Sequence, residues 1–458
     1  MIFQPYRPCN PWLWPGPQEQ EPRQGLYILL ASKDLLTSLK NGTSVAVARQ
    51  RIHLPPKGWR RAVTASTQGN LWDGDNIRQF ERAFAEFIGV PDAVAIPSGR
   101  AGLRFIFEAL GLQPESNVIC SAFAYPVVPH LARSLGFSVR FADCEMETLG
   151  MDPEALAATI TDRTQVVIAT HLYGIPCRIR EIAEIAEAHG ATLIEDCAHC
   201  YGASVGDHKA GAFGRFGYFS FETSKPINTM GGGMVTTQDP ELTERIREVA
   251  RKEPAKNLAW LRKRLFKTTF ETIVTNPLVF NLGVYPALRF LQSREGSDGR
   301  FASGYQPDEI TMQGRMGRYT NYQASLGLDQ MQIIPPQMER RVANAKRLID
   351  QLKDSVKFQS HDVDDVSSNY MLVTALFPEM HTMAQRLLEL GVDTKHHYMR
   401  DCSALLEDGG SFPRAAQAER EILHLPAYPE ISDAKIDWIA ERVRQAVDEL
   451  GASKYLAF

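Results

Sequence analysis

The chain has 458 residues, of which 44% are hydrophobic and 23% are charged, as in an average folded globular protein. This composition excludes a mainly disordered, collagenous or coiled-coil chain. Lys and Arg (50) nearly balance Asp and Glu (54), with a net charge of −4, so the basic excess typical of nucleic-acid-binding proteins is absent. The length predicts two domains, or one large and one small domain.

The cysteines indicate the compartment. Seven scattered cysteines form an odd set, which favours reduced thiols in a cytosol over a disulfide framework. Residues 1–24 are rich in proline and lack the basic-then-apolar layout of a signal peptide. The sequence also has no apolar run of about 18 residues. We therefore expect a cytoplasmic protein without a membrane-spanning helix.

From about residue 75 the chain alternates between helical and strand patterns. The spacing of apolar residues predicts a helix over 75–88 and further helices over 99–112 and 178–189. Seven β-rich runs are predicted strands: 94–97, 118–123, 139–143, 165–171, 192–196, 218–221 and 234–237. Such alternation predicts an α/β fold with a mostly parallel sheet and ligands at the carboxyl ends of its strands.

Two segments interrupt this pattern, and they set the predicted domain boundaries. Residues 1–60 are irregular and are interpreted as an N-terminal extension. Residues 61–334 are predicted to form the large domain, with an insertion at 250–310 that begins with seven Lys or Arg and one Glu in 18 residues. Predicted helices at 338–352, 383–390 and 433–450, around short strands such as 370–376, indicate a smaller α+β domain over 335–458.

Two of the predicted strands end in motifs that could bind an anion or a cation. Ser98-Gly99-Arg100-Ala101-Gly102 follows a strand and opens a helix, where backbone N–H groups can approach an anion; an ordinary strand-to-helix turn is the alternative. Asp196 ends a strand predicted to be buried, where a carboxylate needs a cation or hydrogen-bond donors, or it caps the next helix. The CxxC formed by Cys197 and Cys200 lacks the second ligand pair of a zinc site, and no metal is predicted.

Two further residues follow strands. Lys225 lies between the strand ending at Phe221 and a glycine-rich turn, where burial would lower its pKa and suit a nucleophile that forms a Schiff base; a surface lysine is the ordinary alternative. Tyr125 follows another strand and could cover a flat cofactor ring or pack in the core. The glycines at 211, 214 and 217 do not form a nicotinamide-binding fingerprint.

Taken in chain order, these motifs resemble the DegT/DnrJ/EryC1/StrS family of pyridoxal-phosphate enzymes, the sugar aminotransferases of the fold type I superfamily. SGRAGL is similar to the family's SGTAAL, SAFAYPVV to PAFTFVAT, and FSFETSK to FSFYPTK. Residues 166–203 follow the family pattern along nearly their whole length, and 319–331 and 423–432 resemble later landmarks. The resemblance covers roughly residues 60–250 and 310–450. It implies a mostly parallel seven-stranded central sheet with a smaller C-terminal α+β domain.

The resemblance also implies a set of roles around pyridoxal 5'-phosphate. Lys225 would form the internal aldimine and then move protons, and Asp196 would hold the pyridine nitrogen protonated. His199 would lie near the phenolic oxygen, and Tyr125 would stack on the ring. The phosphate-binding candidates are Ser220, Gly99, Arg100 and Ala101.

The expected reaction is a ping-pong transfer of an amino group from an amino acid to a keto-sugar, nucleotide-sugar or related cyclic ketone. Glutamate is the amino donor that the resemblance favours. Relatives that dehydrate their substrate carry histidine in place of Lys225, so this lysine favours transamination. Elimination, decarboxylation or condensation on the same scaffold remains an alternative. A homodimer is expected, because members of the family build each active site from two chains.

Some features depart from the family. Met316 stands where relatives carry an Asn that reaches the neighbouring subunit's phosphate, and either Arg315 or Arg318 could replace it. Gly231 stands where relatives usually have an acidic residue. The basic and apolar segment 250–292 could contact an anionic membrane surface, or it could form a helical insertion over the mouth of the active site, which is the preferred interpretation.

Overall fold

The computed structural model describes residues 46–295, 317–361, 365–396, 398–406 and 410–451. Most of the predicted extension and the end of the predicted insertion lie outside these ranges, as do Arg315 and Met316. The helices are α1 Gly58–Gln68, α2 Asn76–Ile88, α3 Gly99–Leu110, α4 Val127–Ser134, α5 Pro153–Thr159, α6 Ile179–Ala188, α7 Pro240–Arg251, α8 Leu258–Val274, α9 Pro277–Val279, α10 Tyr285–Glu295, α11 Asn321–Leu352, α12 Met380–Glu389, α13 Cys402–Leu405, α14 Pro413–Glu421 and α15 Asp433–Leu450, with a π-helical turn at Phe280–Val284. The strands are β1 Asp92–Ile96, β2 Asn117–Ser121, β3 Phe123–Ala124, β4 Ser138–Ala142, β5 Thr164–Thr170, β6 Thr192–Asp196, β7 Ser204–Val205, β8 His208–Lys209, β9 Phe216–Ser220, β10 Gly233–Thr237, β11 Lys357–Phe358, β12 Val366–Ser367, β13 Val373–Leu376, β14 Lys395–His396, β15 Arg400–Asp401 and β16 Ile422–Leu425.

The central sheet has seven strands in the order β1-β10-β9-β6-β5-β2-β4. Neighbours from β9 to β4 pair in parallel, whereas β10 is antiparallel to both β1 and β9. Residues 166–170 of β5 are all buried, as expected for a parallel strand covered by helices on both faces. The predicted α/β class and the mostly parallel seven-stranded sheet are confirmed, with strand limits that shift by one or two residues.

A second sheet of four antiparallel strands, β11-β13-β16-β14, lies in the C-terminal part of the chain. A separate apolar cluster packs against it and includes buried residues of α11, α12 and α15, such as Leu348, Leu387 and Val443. This sheet and its cluster support the proposal of a smaller C-terminal domain. Helix α11 runs through residue 335, where the sequence places the boundary.

Two predicted elements differ from the structure. The helix predicted over 338–352 is the second half of α11, which has 32 residues and starts at Asn321, with Thr320 as its N-cap. Pro335 and Pro336 favour a break, but both are exposed within the helix. Buried residues on either side, such as Ile334 and Ala345, keep the helix packed through this point. Residues 58–60, predicted to be irregular, already belong to α1.

Helices α8 to α10, with the π-helical turn, make up most of the described part of the insertion, in keeping with the helical insertion that is the preferred interpretation. Helix α8 buries Leu261 and Leu265 on one side. On its other side Phe266, Phe270 and Ile273 are 64%, 64% and 50% exposed. Further exposed apolar residues follow in α9, the π-helical turn and α10, namely Leu278, Val279, Leu282, Phe290 and Leu291. We call these eight exposed side chains the apolar face. In the described part of the chain, no helix is long and apolar enough to cross a membrane.

The contact between α2 and α11 allows a test of the packing. Gly327 lies against the ring of Phe80, and a Cβ at this position would be 2.5 Å from the nearest ring atom. Phe80 is fully buried against other aromatic rings, so it cannot move without disturbing them. We expect Gly327→Ala to lower the free energy of unfolding, measured by urea denaturation, by about 1–3 kcal/mol. Gly283→Ala is the control, because no atom lies within 4 Å of a Cβ there; equal effects of the two substitutions would contradict this packing.

Candidate active site

A cavity of ≈ 330 Å³ lies at the carboxyl ends of β1, β5, β6 and β9. Its polar and aromatic lining includes Ser98, Arg100, Tyr125, Thr170, His171, Asp196, His199, Tyr218, Ser220, Glu222, Ser224, Lys225 and Tyr398. Seven of the eight predicted site residues are therefore brought to one cavity, since Gly99 also lines it. The eighth, Ala101, does not line the cavity.

Asp196 is the last residue of β6 and lies between two neighbouring strands, in register with Thr170 of β5 and Tyr218 of β9. Its side chain is buried, and burial raises the pKa of its carboxyl group. Its Oδ1 accepts a hydrogen bond of 3.0 Å from the N–H of Ala198, which closes a turn; no helix begins here, so the alternative role as a helix cap is wrong. Because a carboxylate has about four acceptor positions, it retains capacity for another donor on the cavity side.

Tyr218 places a polar atom at the base of the cavity. Its hydroxyl is buried and has no hydrogen-bond partner of good geometry in the described part of the chain. Burial and the nearby charge of Asp196 raise the pKa of this hydroxyl. Tyr218 also interacts with Asp196 directly, since burial raises the pKa of the Asp196 carboxyl group and the Tyr218 hydroxyl acts to lower it, so the two polar groups lie side by side in the lining of the cavity.

His199 is neutral, and its contacts define its tautomer. Its Nδ1 accepts a hydrogen bond of 3.1 Å from the N–H of Tyr173, so the ring proton is on Nε2. Nε2 therefore donates to the hydroxyl of Tyr398, 2.6 Å away. Burial and the charges of Lys225 and Lys395 lower the pKa of His199 well below its usual value, which is consistent with a neutral ring.

Lys225 follows β9, and its backbone N–H donates to the carbonyl of Glu222 at 2.9 Å. Its Nζ donates to the hydroxyl of Tyr398 at 3.4 Å. Burial, followed by the charge of Lys395, lowers its pKa to about 7, although Asp196 and Glu222 act in the opposite direction. An amine with such a pKa is substantially unprotonated at neutral pH and can act as a nucleophile.

The start of α3 forms one wall of the cavity. Ser98 is the N-cap of this helix, and its Oγ accepts a 3.1 Å hydrogen bond from the N–H of Ala101. The N–H of Ala101 therefore serves the cap, and Ala101 does not line the cavity; its phosphate contact stays a prediction. Gly99, Arg100 and Ser220 do line this wall. The positive end of the α3 dipole favours an anionic group here.

Tyr125 and Glu222 complete the walls. The ring of Tyr125 contacts that of Tyr398 edge-on, with centroids 5.7 Å apart. Glu222 forms an ion pair with Arg264 of α8, with a shortest N–O distance of 3.1 Å. Helix α8 thus contacts a residue of the cavity wall. Arg318, one of the two candidates for a cross-subunit phosphate contact, lies 3.8 Å from Asp73.

Glu195, next to Asp196, stabilises the loop beneath the cavity. Its carboxylate accepts hydrogen bonds from the N–H groups of Gly211, Phe213 and Gly214 and contacts His171 at 3.0 Å. Cys197 lies close to Glu195 and His171 in a cluster with metal-ligand chemistry, but the acceptor positions of Glu195 are already occupied. Burial raises the pKa of Cys200 to about 12. The CxxC therefore has the properties of buried structural thiols.

Sequence reasoning missed Tyr398 and Lys395. Tyr398 contacts both His199 and Lys225, and Lys395 lies with its Nζ 5.1 Å from the centre of the Tyr398 ring. Both residues come from the C-terminal part of the chain and follow none of the strands of the central sheet. No spacing in the sequence indicates that they reach the cavity.

The donor set fits pyridoxal phosphate. A buried carboxylate can pair with a protonated pyridine nitrogen, and a helix N-terminus can hold a phosphate. A nucleophilic lysine and a neutral histidine line the same cavity. The fold and this site define a pyridoxal-phosphate-dependent aminotransferase.

Comparison with known proteins agrees with this assignment. Residues 58–444 match the model of the DegT/DnrJ/EryC1/StrS aminotransferase family, and the chain belongs to this family. It is 28% identical over 397 residues to the spore coat polysaccharide biosynthesis protein SpsC of Bacillus subtilis, covering 83% of this chain and 91% of that protein. It is 37% identical over 169 residues to the L-glutamine:2-deoxy-scyllo-inosose aminotransferase of Streptomyces fradiae, covering 37% of this chain and 40% of the relative. The match therefore spans less than half the length of that relative.

Solved structures share the fold. The aminotransferase Spr1654 of Streptococcus pneumoniae, in its pyridoxamine-phosphate form, superimposes with a TM-score of 0.70 at 19% identity, covering 88% of this chain and 100% of that one. The same protein is also known in a pyridoxal-phosphate form. The cofactor of the present chain, pyridoxal phosphate, follows from its membership of the family and from the donor set of the cavity.

The charge of Lys395 gives a test of the electrostatics. In protein from which the cofactor has been removed, covalent labelling of Lys225 by an amine-reactive reagent should rise with pH around the pKa of about 7. Because a second positive charge disfavours protonated Lys225, we expect Lys395→Gln to raise this pKa toward the ordinary value of 10.5. The pKa of Lys225 is obtained from mass spectrometry of the labelled peptide at a series of pH values. Exposed Lys252 provides the control Lys252→Gln, and a downward shift in Lys395→Gln would be evidence against this arrangement.

Proposed function

We propose that the chain transfers an amino group from an amino acid to the carbonyl group of a keto-sugar, nucleotide-sugar or related cyclic ketone. Glutamate is the preferred candidate for the amino donor. The observation that carries this proposal is the placement of Lys225, whose Nζ is 3.4 Å from the Tyr398 hydroxyl in the cavity that Asp196 and His199 also line. The names of relatives support the acceptor class. They include a glutamine-dependent inosose aminotransferase and GDP-perosamine synthases.

Residues that line the cavity would hold the cofactor. Asp196 would pair with its pyridine nitrogen, and Gly99, Arg100 and Ser220 would surround its phosphate. Tyr125 would lie against its ring, and His199 would face its phenolic oxygen. When bound, pyridoxal phosphate supplies the electron sink that stabilises negative charge on a substrate carbon.

Lys225 would attach the cofactor and serve as the base that accepts and returns a proton at Nζ. Its pKa of about 7 matches this task at neutral pH, because an efficient base has a pKa near the operating pH. Tyr398 accepts hydrogen bonds from Nε2 of His199 and from Nζ of Lys225, so its own O–H can donate to a ligand. Tyr398 and His199 therefore orient the amine of Lys225 without adding another charge to the cavity.

Removal of the amine tests this role. We expect Lys225→Ala to lack the visible absorption band of covalently bound cofactor and to lose at least about 10²-fold in transfer rate. The rate is measured as 2-oxoglutarate released from glutamate in the presence of a ketone such as scyllo-inosose. Lys209→Ala is the control, because Lys209 lies over Phe87 and does not line the cavity. Consumption of the amino acid without a matching gain of amine on the ketone would instead indicate elimination or decarboxylation.

The residues of the chain also favour a reducing compartment, and we infer a cytoplasmic location. The six described cysteines are all buried and free. Free, buried thiols are typical of proteins from reducing compartments.

The apolar face suggests an interface, and we propose that a second copy of the chain covers it in a homodimer. Phe266, Phe270 and Ile273 recur at a spacing of four and three residues on the exposed side of α8, so they form one stripe. Contiguous exposed apolar patches mark contact sites. The second candidate is an anionic membrane surface, favoured by the exposed Arg262, Lys263 and Lys267.

Two variants separate these occupants. We expect the combined substitution of Phe266, Phe270 and Ile273 by Ser to convert a dimer into a monomer in sedimentation equilibrium, because it removes the apolar stripe. The combined substitution of Arg262, Lys263 and Lys267 by Glu should leave the dimer intact. A wild-type monomer that sediments with phosphatidylserine vesicles, and loses this binding when the three basic residues become Glu, would favour the membrane instead. Arg264 is left unchanged, since it pairs with Glu222.

A further inference from the structure

A second cavity of ≈ 250 Å³ lies next to the first one and shares Lys225 and Ser224 with it. Its other walls come from four regions of the chain. These are residues 51–56 before α1, residues 223–228 around Lys225, part of α11, and residues 428–430. A group bound in this cavity would therefore lie beside Lys225.

Arg341 of α11 has an unusual position in this cavity. Its Nη1 is buried and has no hydrogen-bond partner in the described part of the chain, and no carboxylate there lies within 4.0 Å of its guanidinium. Burial lowers the pKa of Arg341, only partly offset by the charge of Glu430. A buried guanidinium N–H without an acceptor is costly, so a structural role alone does not explain this residue.

Arginines outnumber carboxylates in the lining of this cavity. Arg51 lines it together with Arg341 and is held in place by the carbonyl of Thr272, 2.8 Å from its Nη1, whereas the Lys225 amine is substantially unprotonated at neutral pH. Among the described residues, Glu430 is the one carboxylate that lines the cavity, and it is already bonded to His53 at 2.7 Å. The cavity therefore offers cationic donors in excess of its acidic acceptors.

We propose that Arg341 binds an anionic group of a substrate in this second cavity, either a carboxylate of the amino donor or a phosphate of the acceptor. This proposal rests on the proposed aminotransferase function. The planar guanidinium can donate two parallel hydrogen bonds to either group. Such a contact would hold the substrate next to the Nζ of Lys225 and satisfy the unpaired Nη1. Residues 51–56 and 428–430 would enclose the rest of the bound molecule.

Binding measurements test the subsite without turnover. The probes are glutarate, a dicarboxylate that lacks the amino group, and UDP, which supplies phosphates. Each is titrated by calorimetry into the holoenzyme. We expect Arg341→Gln to weaken binding of one of the two probes by about 10- to 100-fold, the range for a lost charged hydrogen bond. Loss of glutarate binding alone assigns the site to the carboxylate, and loss of UDP binding alone assigns it to a phosphate.

A neighbouring arginine provides the matched control. Arg340 carries the same charge, pairs with Asp433 at 2.5 Å and does not line the cavity. Arg340→Gln should leave the affinity for both probes unchanged. Unchanged affinity in Arg341→Gln, or an equal loss in both variants, overturns the proposal. Either result leaves the transfer reaction of the wild type to be judged separately by 2-oxoglutarate release.

Two further readouts distinguish binding from a structural role. Because Nη1 has no partner to lose, Arg341→Gln should unfold at the same temperature as the wild type or a higher one, whereas a structural arginine would lower it. Glu430→Gln should tighten binding of the same probe several-fold, because it removes the negative charge that competes for Arg341. Weaker binding in Glu430→Gln, or a lower unfolding temperature in Arg341→Gln, would count against the subsite.

Discussion

The burial of the Lys225 amine away from water is the constraint on which the rest of the site depends. An ammonium group loses solvation in the cavity, and the nearby charge of Lys395 disfavours it further. The buried carboxylate of Asp196 opposes both effects but does not cancel them, since the pKa of the lysine stays near 7. His199 must then remain neutral, because a third cation in the same cavity would be more costly still. Its hydrogen bonds to Tyr173 and Tyr398 fix the neutral tautomer.

The two acidic residues at the end of β6 have different roles. Successive side chains of a strand point to opposite faces of the sheet, so Asp196 faces the cavity and Glu195 faces away from it. Glu195 uses its oxygens on three backbone N–H groups of the loop at 211–214. This loop leads directly into β9, the strand that precedes Lys225. One strand end therefore supplies both a polar group of the cavity and the anchor of the neighbouring strand.

The sequence was informative where function follows from local pattern. The strands of the central sheet could be predicted because they are short apolar runs. Asp196 and Lys225 could be singled out because they lie at or just after the ends of such runs, whereas the role of Ser220 is implied only by the resemblance to the family. Tyr398 and Lys395 could not be predicted, because they reach the cavity only through packing of the C-terminal part of the chain. The start of α11 was missed because two prolines suggest a break that tertiary packing overrides. The exposed stripe of α8 was hidden for a different reason: the helix is apolar on both sides, so periodicity does not show which side is buried.

The arrangement of the two cavities suggests how substrate preference can vary within this scaffold. The first cavity is built from the ends of the central strands together with Tyr398, so its residues are fixed by the packing of the sheet. Apart from residues 223–228 around Lys225, the second cavity is bounded by residues 51–56, by α11 and by residues 428–430, which lie outside that sheet. Arg51 is in turn bonded to the end of α8 through Thr272, and Arg264 of α8 is bonded to Glu222. Changes in the N-terminal segment or in α8 can therefore reshape the substrate side of Lys225 while the residues that would hold the cofactor stay in place.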